Sequence, residues 1–190
     1  MLERRAAMAA LLADRPKNLF VVPGLGSTAW DLAAAGDDAR NFYLWGAMGG
    51  AAMIGLGFAL ARPDLRIAVI TGDGEMLMGL GSLATIGVQQ PKNLAIVVFD
   101  NRMYGETGKQ ASHTGSGVDL LAVARGCGIE RVLDVRDAEG LKALAGLIGR
   151  SNRTLFARVL ISPDDPPRIL PEKDGVALKE RVRRAAAAIA

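Results

Sequence analysis

The sequence predicts an α/β fold: a doubly wound, mostly parallel sheet with helices on both faces, built as a single domain. Two near-continuous apolar β-runs, 67–70 and 94–99, have the pattern of strands covered on both faces rather than half exposed. Around them, helical and extended patterns alternate along the chain. The 190 residues, half of them hydrophobic, suffice for one sizeable core.

Taken in order, an amphipathic helix over about 2–13 precedes a β-run at 18–22, which leaves through the loop Pro23-Gly24-Leu25-Gly26. Ser27 or Thr28 is placed to cap a short helix running to Ala34. An extended piece at 42–45 leads through a Gly-rich turn at 46–50 into a helix that Arg62-Pro63 ends. Strand 66–71, a helix over about 75–89 stopped by Pro91, and strand 94–99 follow. A long loop, 101–116, comes next, then helix 117–126, a short β-run near Val132, helix 137–148 and strand 154–161. Residues 162–167 form a turn-rich linker, and 175–190 read as an Arg/Ala-rich terminal helix. The organisation expected is an N-terminal helix over 1–17, the main domain over 18–161, and the linker with its helix over 162–190.

Composition excludes several classes. A net charge of +3 with scattered basic residues gives no nucleic-acid footprint. Arg4, Arg5 and Arg15 near one end, and Arg181, Arg183 and Arg184 near the other, read as solvated faces of terminal helices. The single Cys127 excludes an internal disulfide and a cysteine-ligated metal site within one chain, and it reads as a small buried apolar residue at a helix end. Glu3 and the absence of a small-residue cleavage site before Asp14 argue against a signal peptide. Residues 42–61 carry no charge and are long enough to span a bilayer. Their five glycines also suit close membrane-helix packing. A helix buried on nearly all sides of a doubly wound sheet is the better account, so no membrane span is expected and the setting expected is cytoplasmic.

The chemistry concentrates at the ends of the two apolar strands. The first ends in Gly72-Asp73-Gly74, and 26 residues after Gly74 the second ends in Asp100-Asn101. Side by side in a parallel sheet, these strands place Asp73 and Asn101 together at their carboxyl ends, where side-chain oxygens can share one hard cation such as Mg²⁺. Gly72 and Gly74 allow a tight turn and a close backbone approach to phosphate, with the positive end of the next helix beyond. The residues thus describe a Mg²⁺-bridged diphosphate site.

That spaced pattern resembles the motif of thiamine diphosphate (ThDP) enzymes, Gly-Asp-Gly followed after some two dozen residues by Asn. The likeness takes in 41–51, 74–93 and 100–105, and residues 18 to about 160 are similar to the diphosphate-binding domain of ThDP decarboxylases. Split sulfopyruvate decarboxylases, in their small β subunit, and phosphonopyruvate decarboxylases offer the nearest likeness. The resemblance implies ThDP and Mg²⁺ as cofactors, with Asp73, Asn101 and the backbone carbonyl of Met103 on the metal. It implies that the backbone of Gly74 and Glu75 holds the diphosphate. Glu75 departs from the small or hydroxyl residue usual there, and its carboxylate must turn away from the diphosphate or raise the need for Mg²⁺. Tyr104 falls in the same segment, which the resemblance places at the cofactor, and reads as a packing rather than a catalytic residue there. The lack of clustered cysteines argues against the iron–sulfur branch of ThDP oxidoreductases.

Met48, 25 positions before Asp73, stands where the family carries the apolar residue that wedges between the cofactor's two rings. The Gly46 carbonyl then accepts from the exocyclic amine. Met53, Met76 and Met78 fall at helical core spacing and are given no cofactor role. His113, the only histidine, lies in the long loop, where it can orient a carboxylate or shuttle a proton, or simply be solvated. Thr107, Gln110 and Thr114 in that loop are candidates for contacting an acidic substrate group. In the family, a glutamate from a separate pyrimidine-binding domain activates the cofactor, and the chain has room for one of the two domains. A partner α subunit supplying that glutamate is therefore expected. The function implied is the ThDP/Mg²⁺-binding subunit of a two-component 2-oxoacid decarboxylase acting on sulfopyruvate or phosphonopyruvate. The alternatives are a carboligase or other decarboxylase half, or a non-catalytic ThDP-binding regulatory subunit.

Overall fold

The computed structural model describes residues 1–189, and the expected helix end at Ala190 lies outside them. Along the chain come α1 (Arg4–Leu12), β1 (Leu19–Pro23), α2 (Ser27–Ala34), α3 (Ala51–Ala61), β2 (Arg66–Gly72), α4 (Asp73–Met78), α5 (Ser82–Gln89) and β3 (Leu94–Asp100). A small hairpin of β4 (Met103–Tyr104) and β5 (Gln110–Ala111) follows, then a 3₁₀ turn over His113–Ser116. The remaining elements are α6 (Leu120–Gly126), β6 (Arg131–Val135), α7 (Ala138–Ile148), β7 (Leu155–Leu160) and α8 (Gly175–Ala187). Carboxylates of Glu3, Asp119, Asp137 and Asp174 accept from the first-turn N–H groups of α1, α6, α7 and α8.

The main sheet runs β1-β2-β3-β7-β6, with every neighbouring pair parallel. Along β3, Leu94, Ile96 and Val98 face one apolar cluster, while Ala95, Val97 and Phe99 face the other. This period-two division explains the continuous apolar runs: both faces are core. Helices α1, α2 and α7 cover one face; α3, α5 and α6 cover the other. Because all five strands point the same way, their exits gather along one edge.

Several local expectations are corrected. The helix expected over 75–89 breaks at Gly79–Gly81 into α4 and α5, because Gly79 lies against the backbone of Gly49. The resulting α4 has six residues, too few for the long helix dipole anticipated behind the diphosphate. Neither Ser27 nor Thr28 caps α2: Gly26, at φ +69°, takes the N-cap position, and the Thr28 hydroxyl donates to the Gly24 carbonyl. α3 is not enclosed on nearly all sides, since Met53, Gly57, Leu60 and Ala61 are exposed along one face. Of the three methionines assigned to the core only Met76 is buried. Met53 and Met78 are 41% and 67% exposed because their positions face outward from α3 and α4. Cys127 is half-buried at the α6 terminus. Among the described residues no helix is long and apolar enough to cross a membrane.

Arg4 also departs from expectation. Far from a solvated face, it is 3% exposed and pairs with the buried Asp31 of α2 at 2.8 Å, with Arg5 adding a second contact at 3.3 Å. Burying a guanidinium requires such a partner.

Candidate functional site

Strand register brings the predicted pair together. β2 and β3 are adjacent and parallel, with Gly72 opposite Phe99, so Asp73 and Asn101 leave neighbouring strand ends. Both line one cavity of about 180 Å³, together with Gly72, Gly74, Glu75, Met103 and Tyr104. Met48 and Met78 form part of its wall. The loop leaving β1 contributes Leu25, and the start of α2 contributes Ser27 and Thr28, residues that sequence reasoning passed over as site residues. The available signal was the Gly-rich exit of a third parallel strand at the same edge. Arg4 reaches the cavity from α1, which no local sequence pattern announces.

Asp73 is buried, and its hydrogen bonds from other residues fall on one oxygen. Ser112 donates to Oδ2 at 2.5 Å, and Thr114 stands 3.1 Å from the same atom. Thr114 also lies 2.8 Å from Oδ1 of Asp100, whose Oδ2 is buried without a hydrogen-bond partner. Burial, assisted by the charge of Asp100, pushes the Asp73 carboxyl up to about 6, against the Ser112 and Thr114 hydrogen bonds that favour its ionised form. Two buried carboxyls thus share a hydroxyl bridge, and neither forms an ion pair with a basic side chain among the described residues. Asn101 Oδ1 accepts from the Met103 N–H at 2.9 Å, an Asx turn that orients its amide at the start of the hairpin.

Glu75 resolves its own difficulty by turning inward. Its Oε2 accepts from the Leu25 N–H at 3.0 Å and the Thr71 hydroxyl at 2.9 Å, and its Oε1 from the Gly49 N–H at 3.3 Å. Burial raises its carboxyl above the ordinary value, against these bonds. One side chain therefore ties together the β1 exit, β2 and the Gly-rich turn.

Met48 is 39% exposed and belongs to the cavity wall rather than to a core cluster. It also borders a second hollow, with Leu25, Ala29, Trp30, Leu44, Trp45 and Glu106. Gly46 lies in the exposed part of the same turn, off the first cavity's wall. Tyr104 packs on the α4 start: a Cβ on Gly74 would lie 2.8 Å from its ring. His113 is exposed and stands edge-on to Tyr104, 5.8 Å between ring centres, away from the cavity. The 3₁₀ turn points it outward, while Ser112 and Thr114 on either side bond inward to Asp73. Thr114 therefore serves the carboxyl pair rather than standing open for an acidic ligand. Thr107 lines the cavity, and Gln110 is exposed and bonded to Thr107.

Residues 24–154 match the model of a family described as thiamine pyrophosphate enzyme, C-terminal TPP binding domain. This chain belongs to that family. The match takes in the β1, β2 and β3 exits that line the cavity, while Ile161 at the end of β7 also lines it and lies outside the match. Among similar proteins, the sulfopyruvate decarboxylase subunit beta of Methanocaldococcus jannaschii is 46% identical over 113 residues, 60% of this chain and 60% of that one. The phosphonopyruvate decarboxylase of Streptomyces viridochromogenes is 42% identical over 80% of this chain and 38% of its own length. The subunit beta of Methanothermobacter thermautotrophicus sulfopyruvate decarboxylase is 38% identical over 86% of this chain and 84% of its own. The chain thus spans less than two thirds of the first two of these relatives. The TPP-binding domain fits its cofactor on structural grounds: a Gly-lined strand edge for a diphosphate, and two buried carboxyls without a basic partner.

Proposed function

We propose that this chain is the ThDP- and Mg²⁺-binding subunit of a two-component 2-oxoacid decarboxylase. The observation that carries the reading is the convergence of Asp73 and Asn101 on one cavity at the exits of adjacent parallel strands. Asp73, Asn101 and the Met103 carbonyl would hold Mg²⁺, which supplies the positive charge the buried Asp73–Asp100 pair lacks. The backbone at Gly72, Gly74 and Glu75, with the β1 exit loop, would border the diphosphate. When bound, ThDP supplies the electron sink that decarboxylation of a 2-oxoacid requires.

The chain's own residues shape and dry the site. Met48 would press between the cofactor's rings and keep them bent without hydrogen bonding to them, with the Gly46 carbonyl accepting from the amine. Leu25, Met78 and Phe99 add apolar wall. Glu75 holds the Met48-bearing turn to β2 through its bonds to Gly49 and Thr71. His113 stands outside this chain's cavity, and no step is assigned to it.

The activating glutamate would come from a pyrimidine-binding α subunit, which makes the working enzyme a hetero-oligomer. Support comes from the named β subunits among the relatives and from the open, apolar surroundings of Met48, Trp45 and Met78. The relatives named as sulfopyruvate and phosphonopyruvate decarboxylases support a 2-oxoacid with a distal sulfonate or phosphonate as the substrate of this reading. A cytoplasmic setting is compatible with the single cysteine. The test is co-purification with the pyrimidine-binding partner, followed by CO₂ release assayed over a panel of 2-oxoacids. The complex should decarboxylate and this chain alone should not. A complex inert toward every 2-oxoacid, or vigorous turnover by the chain alone, would overturn the proposal.

A further inference from the structure

The side-chain carboxylate of Glu75 gathers donors from the β1 exit, β2, the Gly-rich turn and the start of α3. It is 6% exposed, and its Oε2 accepts from the Leu25 N–H at 3.0 Å and the Thr71 hydroxyl at 2.9 Å. Oε1 accepts from the Gly49 N–H at 3.3 Å, and the N–H of Ala51 also turns toward the carboxylate. Ala51 opens α3, whose N-cap residue, Gly50, has no side chain to offer. The first N–H groups of a helix lack intrahelical partners, and an acid there meets both those donors and the positive helix end. Helices α1, α6, α7 and α8 carry such an acid at their own N-cap; α3 takes one from the first turn of α4.

Gly24 completes the arrangement. Its N–H donates to the Ile70 carbonyl at 2.8 Å and its carbonyl accepts from the Thr28 hydroxyl at 3.0 Å, so its backbone is pinned on both sides. A Cβ built there would lie 1.7 Å from Glu75 Oε2 and 2.8 Å from Thr71 Oγ1. Room for the carboxylate, rather than a positive φ, requires glycine at this position.

We propose that Glu75 is a positioning residue: its carboxylate caps α3 from α4 and sets the Met48 turn in place before any cofactor arrives. The inference rests on the reading of Met48 as the residue pressed between the cofactor's rings. Met48 sits between Gly49, which Glu75 holds, and Ala47, a left-handed residue at φ +62°. Backbone in that region persists only when its surroundings hold it. An ionised carboxylate offers acceptors only and is here met by donors only, so removing it leaves buried N–H groups unpaired. The motif has a small or hydroxyl residue at this position, so the clamp is a property of this chain rather than of the motif. Its loss displaces Met48 while the backbone bordering the diphosphate stays, and turnover should suffer more than cofactor affinity.

The experiment compares wild type, Glu75→Ala, Glu75→Gln, Gly24→Ala and the Gly24→Ala, Glu75→Ala double variant. Amide exchange at Gly49 and Ala51 is measured on the ThDP-free full chain. ThDP affinity in Mg²⁺ buffer, and kcat on sulfopyruvate or phosphonopyruvate, are measured on the complex with the pyrimidine-binding partner. Glu75→Ala should lower protection of both amides by roughly tenfold or more, the scale of a lost charge-assisted hydrogen bond. It should lower kcat by roughly 10–100-fold, with a much smaller change in ThDP affinity. Glu75→Gln, which keeps the bulk and one acceptor oxygen, should fall between wild type and alanine. Gly24→Ala should reproduce the Glu75→Ala losses by displacing the carboxylate, and the double variant should be no worse than Glu75→Ala alone. Unchanged amide protection in Glu75→Ala, a loss of affinity as large as the loss of kcat, or additive losses in the double variant would overturn the positioning role while leaving the cofactor site standing. A wild-type complex without affinity for ThDP would overturn the site reading, and this inference with it.

Discussion

Gly49 and Gly79 meet backbone to backbone: a Cβ built on Gly79 would lie 2.1 Å from the Gly49 carbonyl oxygen. Gly49 is itself held at φ +88°, where side chains are disfavoured. The contact fastens the turn carrying Met48 to the break between α4 and α5. Gly79→Ala should cost about 1–3 kcal/mol, as overpacking does, because rigid backbone must move. It should also weaken ThDP binding. Thermal unfolding and calorimetry check both, and a variant matching wild type in each would show that the contact is not needed.

Asp73→Ala should reduce ThDP retention in Mg²⁺ buffer by more than roughly 100-fold, beyond the usual effect of losing an outer-shell partner. The fold should survive, since the change removes a buried carboxyl that burial already holds near 6. Circular dichroism beside the binding isotherm separates the two effects. Unchanged affinity would remove Asp73 from the site.

For Met48, the exposed position on the cavity wall predicts an effect on turnover rather than on folding. In the reconstituted enzyme, Met48→Ala should lower kcat by roughly 10–100-fold, the scale of a small misplacement of reacting groups, with little change in ThDP affinity. Met48→Leu should recover most of the activity. Equal kcat for alanine and wild type would assign Met48 to packing alone.

The Arg4–Asp31 pair gives a stability prediction at the cavity rim. Asp31→Ala leaves Arg4 buried without its partner, so the chain should lose about 3–5 kcal/mol. Replacing both residues by apolar ones, Arg4→Met with Asp31→Leu, should recover much of that loss, because no buried charge is then left uncompensated. Denaturant midpoints measure the difference. A double variant as unstable as Asp31→Ala would show that the pair has a further role, such as holding Ser27 through the 3.0 Å bond from Arg4.

Asp73 and Asn101 were legible because each follows an apolar strand of a parallel sheet, and parallel strands deliver their exits to one edge whatever else the fold does. The fold class was legible for a related reason: burial on both faces removes the polar alternation that an exposed face imposes. Met48 was legible only through family resemblance. The Gly79 break was not, because a glycine amid helix formers gives no sign of a backbone 30 residues away. Local pattern alone also left Arg4 on a solvated face and Met78 in the core.

From the sequence alone came the doubly wound sheet and the two strand ends that meet at the site. Only the tertiary structure decided which hydroxyls secure Asp73, that Glu75 turns inward to the Gly49 and Leu25 N–H groups, and that His113 stands outside. Strand burial is set by runs of neighbouring residues and so leaves a periodic trace in the sequence. These contacts join residues 26 to 50 positions apart through single side-chain rotamers, or depend on which way one turn faces. Such choices are made when the loops pack against each other, and no local pattern records them.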